Sequence, residues 1–285
     1  MPPRRIDEFD VYEFHVIIAE EKGVFTAVGR DKAGNEIYRN QSRALEDVKA
    51  DAKSSLSALS DDFVGYEGAV NQFLRVYPSG FSDPYFLSDE REYKIRAHEK
   101  AKRTLDEEVL RDLLRKRQFL EIGEAARKTF INLIFPNEAM AFKSFVQIEQ
   151  NAQAFSPVLV DLLYGSSFEQ AFDEMSSLLR PAKAATWTVL TYWPFILFPD
   201  RHMFLKPEVA QESARRLGER FEYESPPTSL SYVSYLTYVS HLRDGISALR
   251  PRDNIDLQTF MYAVGKSGFV REGVERREQW LAAQR

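Results

Sequence analysis

Apolar and polar positions alternate at the start of the chain and then, near residue 60, give way to helical spacing. Residues 9–19 alternate and are rich in β-branched and aromatic types, the pattern of a half-buried strand. Residues 24–28 follow a Glu-Glu-Lys-Gly turn, and residues 36–39 follow Asp31-Lys32-Ala33-Gly34-Asn35, where Gly and Asn supply turn conformations. These segments predict a three-stranded meander. Ser42 then caps a helix to about residue 59, whose Leu45, Val48, Ala52, Leu56 and Leu59 share one face. From Asp61 the apolar residues recur every three or four positions. The predicted helices cover 66–76, 89–102, 105–120, 121–135, 138–154, 157–164, 167–179, 182–195, 207–217, 229–249 and 256–264, with a charged tail from 271. The fold class is mainly α (α+β): a small antiparallel β unit, residues 1–60, followed by a multi-helix domain, residues 61–285. The stretch 222–229, with Pro226-Pro227, is the only linker-like segment.

Composition narrows the function classes. Hydrophobic residues make up 44% of the 285, aromatics 13% and charged residues 28%. That excludes a disordered chain, a collagen-like chain and a disulfide scaffold. With no cysteine there is no disulfide, thiolate nucleophile or Cys-ligated metal. The net charge of −5 is wrong for a bulk DNA coater, although local basic patches still act on partners. The N-terminus, Met-Pro-Pro-Arg-Arg-Ile-Asp-Glu, carries no apolar signal-peptide core. The longest apolar stretch, 187–198, is broken by Pro194 and is shorter than the ~20 residues of a spanning helix. The expectation is a soluble cytoplasmic protein without a membrane partner.

Three segments carry candidate chemistry. The loop 77–94 holds Tyr77, Phe81, Tyr85 and Phe86, followed by Arg91, Tyr93 and Lys94. Aromatic, guanidinium and ammonium groups together suit stacking a base and holding phosphates; the competing reading is a loop pinned to the core by its own rings. Residues 193–207 place Asp200, Arg201 and His202 after a very apolar helix, with Lys206 just before Pro207. A lysine held among apolar groups loses its charge readily and acts as a nucleophile or base; alternatively Lys206 snorkels and His202 is structural. In residues 249–262, Asp253 or Asn254 caps a helix, Asp256 sits in its first turn, Arg250 and Arg252 are within pairing reach, and Gln258 lies among apolar neighbours. Here the alternative is an ordinary capped, salt-bridged helix start.

Other chemistries find little footing. The four histidines, at 15, 98, 202 and 241, show no metal-ligand spacing. Gly265-Lys266-Ser267 lacks the upstream glycine of a phosphate loop and follows a helix, and no Gly-x-Ser-x-Gly elbow is present. Residues 91–117 hold ten Lys or Arg against six Asp or Glu, a solvated face that could also steer a phosphate backbone.

Taken together, Tyr66-Glu67-Gly68, Phe73-Leu74-Arg75, Pro78-Ser79-Gly80-Phe81-Ser82-Asp83-Pro84, Glu90-Arg91-Glu92-Tyr93-Lys94, His202-Met203-Phe204-Leu205-Lys206-Pro207, Pro251-Arg252-Asp253 and Ile255-Asp256-Leu257-Gln258-Thr259-Phe260 resemble a family of uncharacterised bacterial proteins associated with genomic defence neighbourhoods. The resemblance spans residues 65–265. It implies an anti-phage DNA glycosylase, although the Leu-Pro-Gly-Val-Gly hairpin of helical base-excision glycosylases is missing. The leading expectation is a DNA base N-glycosylase that excises modified bases, foremost phage-modified cytosine, to leave abasic sites. That chemistry needs a flipped base, an aromatic pocket and a carboxylate, and neither metal nor cofactor. Asp253 or Asp256 is the expected carboxylate, with Lys206 as an alternative amine nucleophile. Tyr85, Tyr192 and Trp193 are expected to stack the base, Arg91, Lys94 and Arg201 to hold phosphates with His202 beside them, and Asn254 and Gln258 to read base edges. The alternatives are a non-enzymatic nucleic-acid or partner-binding defence module and a carboxylate-metal nuclease.

Overall fold

The computed structural model describes residues 3–59 and 64–284. Four strands, β1 (Arg4–Val11), β2 (Phe14–Glu21), β3 (Val24–Arg30) and β4 (Glu36–Ser42), pair consecutively and antiparallel. The alternating run 9–19 is therefore not one strand. It folds back at Tyr12, whose φ of +56° makes a tight turn that pairs Val11 with Phe14. Neither Gly nor Asn marks that turn, so residue type did not betray it. Helix α1 (Leu45–Leu59) follows, and the Ser42 hydroxyl accepts from the Ala44 backbone at 3.1 Å as the chain enters it. Val48, Ala52 and Leu56 of α1 bury against Val11, Phe14, Val16, Ile18 and Ala27 of the sheet. Gly29 permits this closeness, because a Cβ there would stand 2.8 Å from Leu56. The side chain of Leu59 lies outside the described residues.

The chain divides into two compact units, residues 1–69 with 214–219 and residues 70–213 with 220–285. The boundary expected at 60/61 falls on residues outside the described set. The proline-bearing stretch 222–229 lies inside the second unit and contains a cis Ser225–Pro226 bond.

From residue 65 the structure is helical: α2 (Gly65–Val76), α3 (Pro84–Phe86), α4 (Glu92–Thr104), α5 (Glu107–Arg115), α6 (Phe119–Lys128), α7 (Pro136–Val146), α8 (Glu149–Tyr164), α9 (Phe168–Leu179), α10 (Trp187–Leu197), α11 (Pro207–Leu217), α12 (Ser229–Gly245), α13 (Asn254–Gly265) and α14 (Phe269–Ala283). The class is mainly α with an N-terminal antiparallel sheet. Two expected helices are divided: 105–120 breaks after Arg115 and 138–154 breaks after Val146, and neither following helix starts on a side-chain cap. Asp106 accepts from the Glu108 and Val109 backbones and starts α5. Pro136 opens α7, two residues before the expected start at 138, its missing N–H costing nothing there. The charged tail from 271 belongs to α14.

Every residue of α10 is buried, and the helix forms the centre of the second unit. Trp193 packs against Phe130, Phe142 and Phe155. No described helix is long and apolar enough to cross a membrane.

Candidate functional site

The loop between α2 and α4 is shaped by its own residue types. Gly80 takes a φ of +59°, and Asp83 caps α3 by accepting from the Tyr85 backbone at 2.9 Å. A single π-helical turn, Leu87–Arg91, joins α3 to α4; such wide turns concentrate at functional positions. Tyr77, Phe81, Tyr85 and Phe86 are all buried; Tyr77, Phe81 and Phe86 pack against Phe73, which also meets Phe260 of α13, and Tyr85 packs against Tyr77. The aromatic loop is thus pinned to the core. Tyr85 offers no open face for a base in this conformation, because its ring lies 5.6 Å from Tyr77 and 5.5 Å from Trp280.

A charged clamp ties this loop to the start of α13. Arg91 donates to both oxygens of Asp253, at 2.8 and 2.6 Å, and to Asp256 at 2.8 Å. Asp253 also caps α13 through the Ile255 and Asp256 backbones. Asp256, fully buried, accepts from the Arg252 backbone and guanidinium, while Arg252 also donates to the Phe81 carbonyl. Burial alone would raise the Asp253 pKa, but Arg91 and the helix N–H groups hold it below the ordinary carboxylate range. The same pairing raises Arg91 against the opposing effect of its burial. Both aspartates expected to be catalytic are engaged as anchors, with both oxygens of each accepting from Arg91, Arg252 or backbone donors.

Deeper in the second unit lies a different cluster. Lys94 is 1% exposed and donates to Glu90 at 3.1 Å and to Thr259 at 2.8 Å. Burial pushes its pKa down, against the pull of Glu90, Asp256 and Asp89. Asp89 is pushed up by burial and by the negative charge of Glu90. The Tyr85 hydroxyl sits beside the Asp89 carboxyl without completing a hydrogen bond of normal geometry, and burial raises Tyr85 to about 12. The Tyr77 hydroxyl and Asp89 Oδ2 are likewise buried without a partner. Tyr77, Tyr85 and Asp89 thus bring polar atoms together in a buried place where the last two lie against each other, and Arg276 of α14 is close enough to act on all three. Asp89 and Glu90 are not among the site residues expected from sequence, and Tyr77 enters there only as a ring of the aromatic loop; the available signal is a Glu90–Lys94 pair one helical turn apart beside aromatic residues.

Helix α14 covers this cluster. Trp280 rests on Tyr85, and Arg277 donates to Asp83 at 2.7 Å and to the Val76 carbonyl. On the other side of the π turn, an open groove of about 470 Å³ is lined by Pro84, Leu87, Ser88, Arg91, Glu92 and Ile95.

The remaining candidates are scattered. Tyr192 and Trp193, expected to stack a base, are core residues: the Tyr192 hydroxyl donates to the Thr129 carbonyl, and Trp193 Nε1 donates to the Ala126 carbonyl at 3.2 Å. Trp193 is stacked on Phe130 and meets Phe142, Tyr192 meets Phe130 edge to face, and both are fully buried, so neither presents a platform to a base. Asn254, expected to read a base edge, is consumed by Arg243 and the His202 carbonyl. Gln258 is largely buried, with Oε1 unmatched. His202 stacks on Phe168 at 4.5 Å, and burial drops its pKa to about 4. Arg201 is exposed and lies over the Phe198 ring, 4.6 Å from its centre. Lys206 lies over Phe135, 4.7 Å from the ring centre. Among the described residues, no group of three or more His, Asp or Glu side chains is placed to hold a metal ion. No protein-family model, curated protein or solved structure matches the chain.

Proposed function

We propose that this chain is a DNA base N-glycosylase of antiviral defence, releasing a modified base, foremost a phage-modified cytosine, and leaving an abasic site. The observation that supports this reading is the Asp89–Glu90–Lys94 cluster with its unmatched tyrosine hydroxyls. Cleavage of an N-glycosidic bond needs negative charge near C1′ as that carbon becomes cationic, and a proton for the departing base. Glu90 is assigned the carboxylate role. Asp89 is assigned the acid, because its surroundings hold its proton to higher pH. Arg91, Asp253 and Asp256 are positioning residues in this reading: they fix the π turn that carries Asp89 and Glu90. The base must leave the stack to react, as for any enzyme working on base chemistry.

The test is mass spectrometry of small molecules released from phage DNA with ordinary and with modified cytosines, chelator present. The expected result is a free modified base, lost in Asp89→Asn and in Glu90→Gln with the helical signature intact. Undiminished release from both variants, or no base from any DNA, overturns the reading. The groove beside Arg91 supports a second reading, a nucleic-acid or partner-binding module without turnover, identified by saturable binding and no product.

A further inference from the structure

We infer that the uncovered face of the N-terminal sheet is an interface with a second copy of this chain, the two copies stacking sheet on sheet about a two-fold axis.

Strand register fixes which side chains share that face. Val16, Ile18 and Ala27 turn toward α1, so the alternate positions turn the other way. Two rows of directly paired residues lie at its centre. One runs Glu8, Ile17, Val28, Arg39 from β1 to β4, and the next runs Arg5, Ala19, Thr26, Gln41. None of these eight residues is buried, and the Arg5 and Glu8 side chains are each 53% exposed. Arg5 and Glu8 form an ion pair, and Gln41 donates to the Thr26 hydroxyl at 3.1 Å, as residues on one side of the sheet can. Ile17 and Val28 stand side by side in the middle of the face, and charge is confined to its margins.

The two rows are complementary to each other. A two-fold axis that crosses the strands midway between the rows lays each row on the other row of the second copy, and every contact occurs twice. Ile17 then covers the partner's Ala19, and Val28 covers the partner's Thr26, a large side chain over a small one at each place. Arg5 meets the partner's Glu8, and Arg39 meets the partner's Gln41. An axis along the strands is disfavoured, because it sets Asp10 against the partner's Glu36 and His15 against the partner's Arg30. Association through the strand edges is disfavoured too. The β1–β2 pairing shifts register between Arg5 and Asp7, the β3–β4 pairing shifts between Gly29 and Arg30, and such bulges deter edge-to-edge pairing. Four strands about 4.8 Å apart and seven residues long present roughly 450 Å² per copy. That is the small end for a specific interface, so the dimer is weak, with a Kd of about 10–100 μM.

The full-length protein is followed by sedimentation velocity at rising concentration. The expected result is reversible dimerisation, lost in Ile17→Asp with the far-UV circular dichroism unchanged. Arg5→Glu and Glu8→Arg each set like charges against one another, and each should weaken the dimer about tenfold. An equimolar mixture of these two variants sets the glutamates of one chain against the arginines of the other, and should dimerise as the unaltered chain does. Recovery on mixing cannot come from a misfolded variant, so it reads the interface itself. A monomer at every concentration, a dimer that persists in Ile17→Asp, or variants that mixing does not rescue would each overturn the inference. A monomer whose Ile17→Asp variant loses binding to duplex DNA rejects the second copy and gives the face to nucleic acid.

Discussion

Replacing Asp256 with alanine tests whether the clamp between the aromatic loop and α13 is the structural device described above. Asp256 is 0% exposed and accepts from Arg91 at 2.8 Å and from the Arg252 backbone, Nε and Nη2 at 2.9, 2.8 and 3.0 Å. The substitution takes the acceptor from the Arg252 backbone N–H and removes one of the two carboxylates that neutralise Arg91, which keeps only Asp253. Removing one partner of a buried ion pair costs about 3–5 kcal/mol. Arg252 provides the contrast: its side chain is 42% exposed, so water compensates much of its loss, and Arg252→Ala should cost about 1 kcal/mol. The assay is urea unfolding followed by far-UV circular dichroism, with the midpoint compared at constant slope. An Arg91→Ala/Asp256→Ala double-mutant cycle should show coupling of about 1–3 kcal/mol, because the two residues share one network. A cost below 1 kcal/mol for Asp256→Ala, or equal costs for Asp256→Ala and Arg252→Ala, would refute the clamp.

Other expectations follow from the same geometry. His202 has a pKa of about 4 when folded against an ordinary 6.5, so the native state binds fewer protons between those values; stability should fall as pH drops through that window, by about 3 kcal/mol at most, and His202→Phe should flatten the loss in pH-dependent melts. Asp253 is held below the usual range, so its contribution is present above pH ~3.9 and is lost on further acidification; Asp253→Asn should make the acid limb of the same melts shallower. A Cβ at Gly273 would lie 3.5 Å from that of Val76, within disulfide reach, and the chain has no competing cysteine. Oxidised Val76→Cys/Gly273→Cys protein should unfold at a higher urea midpoint than the reduced form, by about 2–4 kcal/mol, and equal midpoints would reject the close approach of Gly273 to Val76. Trp193→Ala should cost about 3–5 kcal/mol in urea unfolding as a core cavity, since its ring is enclosed by three phenylalanines.

Periodicity alone determined the class of this protein, because which face of an element meets the core is a local property of residue spacing. The alternation before residue 42 and the 3.6-residue recurrence after residue 61 separate the sheet from the helices, and Asp253 marks a helix start by local backbone chemistry. The turn at Tyr12 was hidden because a left-handed residue other than glycine or asparagine carries no compositional mark. Site chemistry was legible only as inventory. Arg91 and Asp253 are 162 residues apart, Lys94 and Thr259 are 165 apart, and spacing along the chain is silent about such pairs. The apolar residues around Trp193 did not reveal that its ring is enclosed, nor did Asp253 reveal that both its oxygens are bonded to Arg91. Tertiary packing decided those points, because burial and partner geometry, not residue type, set which carboxyl is an anchor and which keeps an unmatched oxygen.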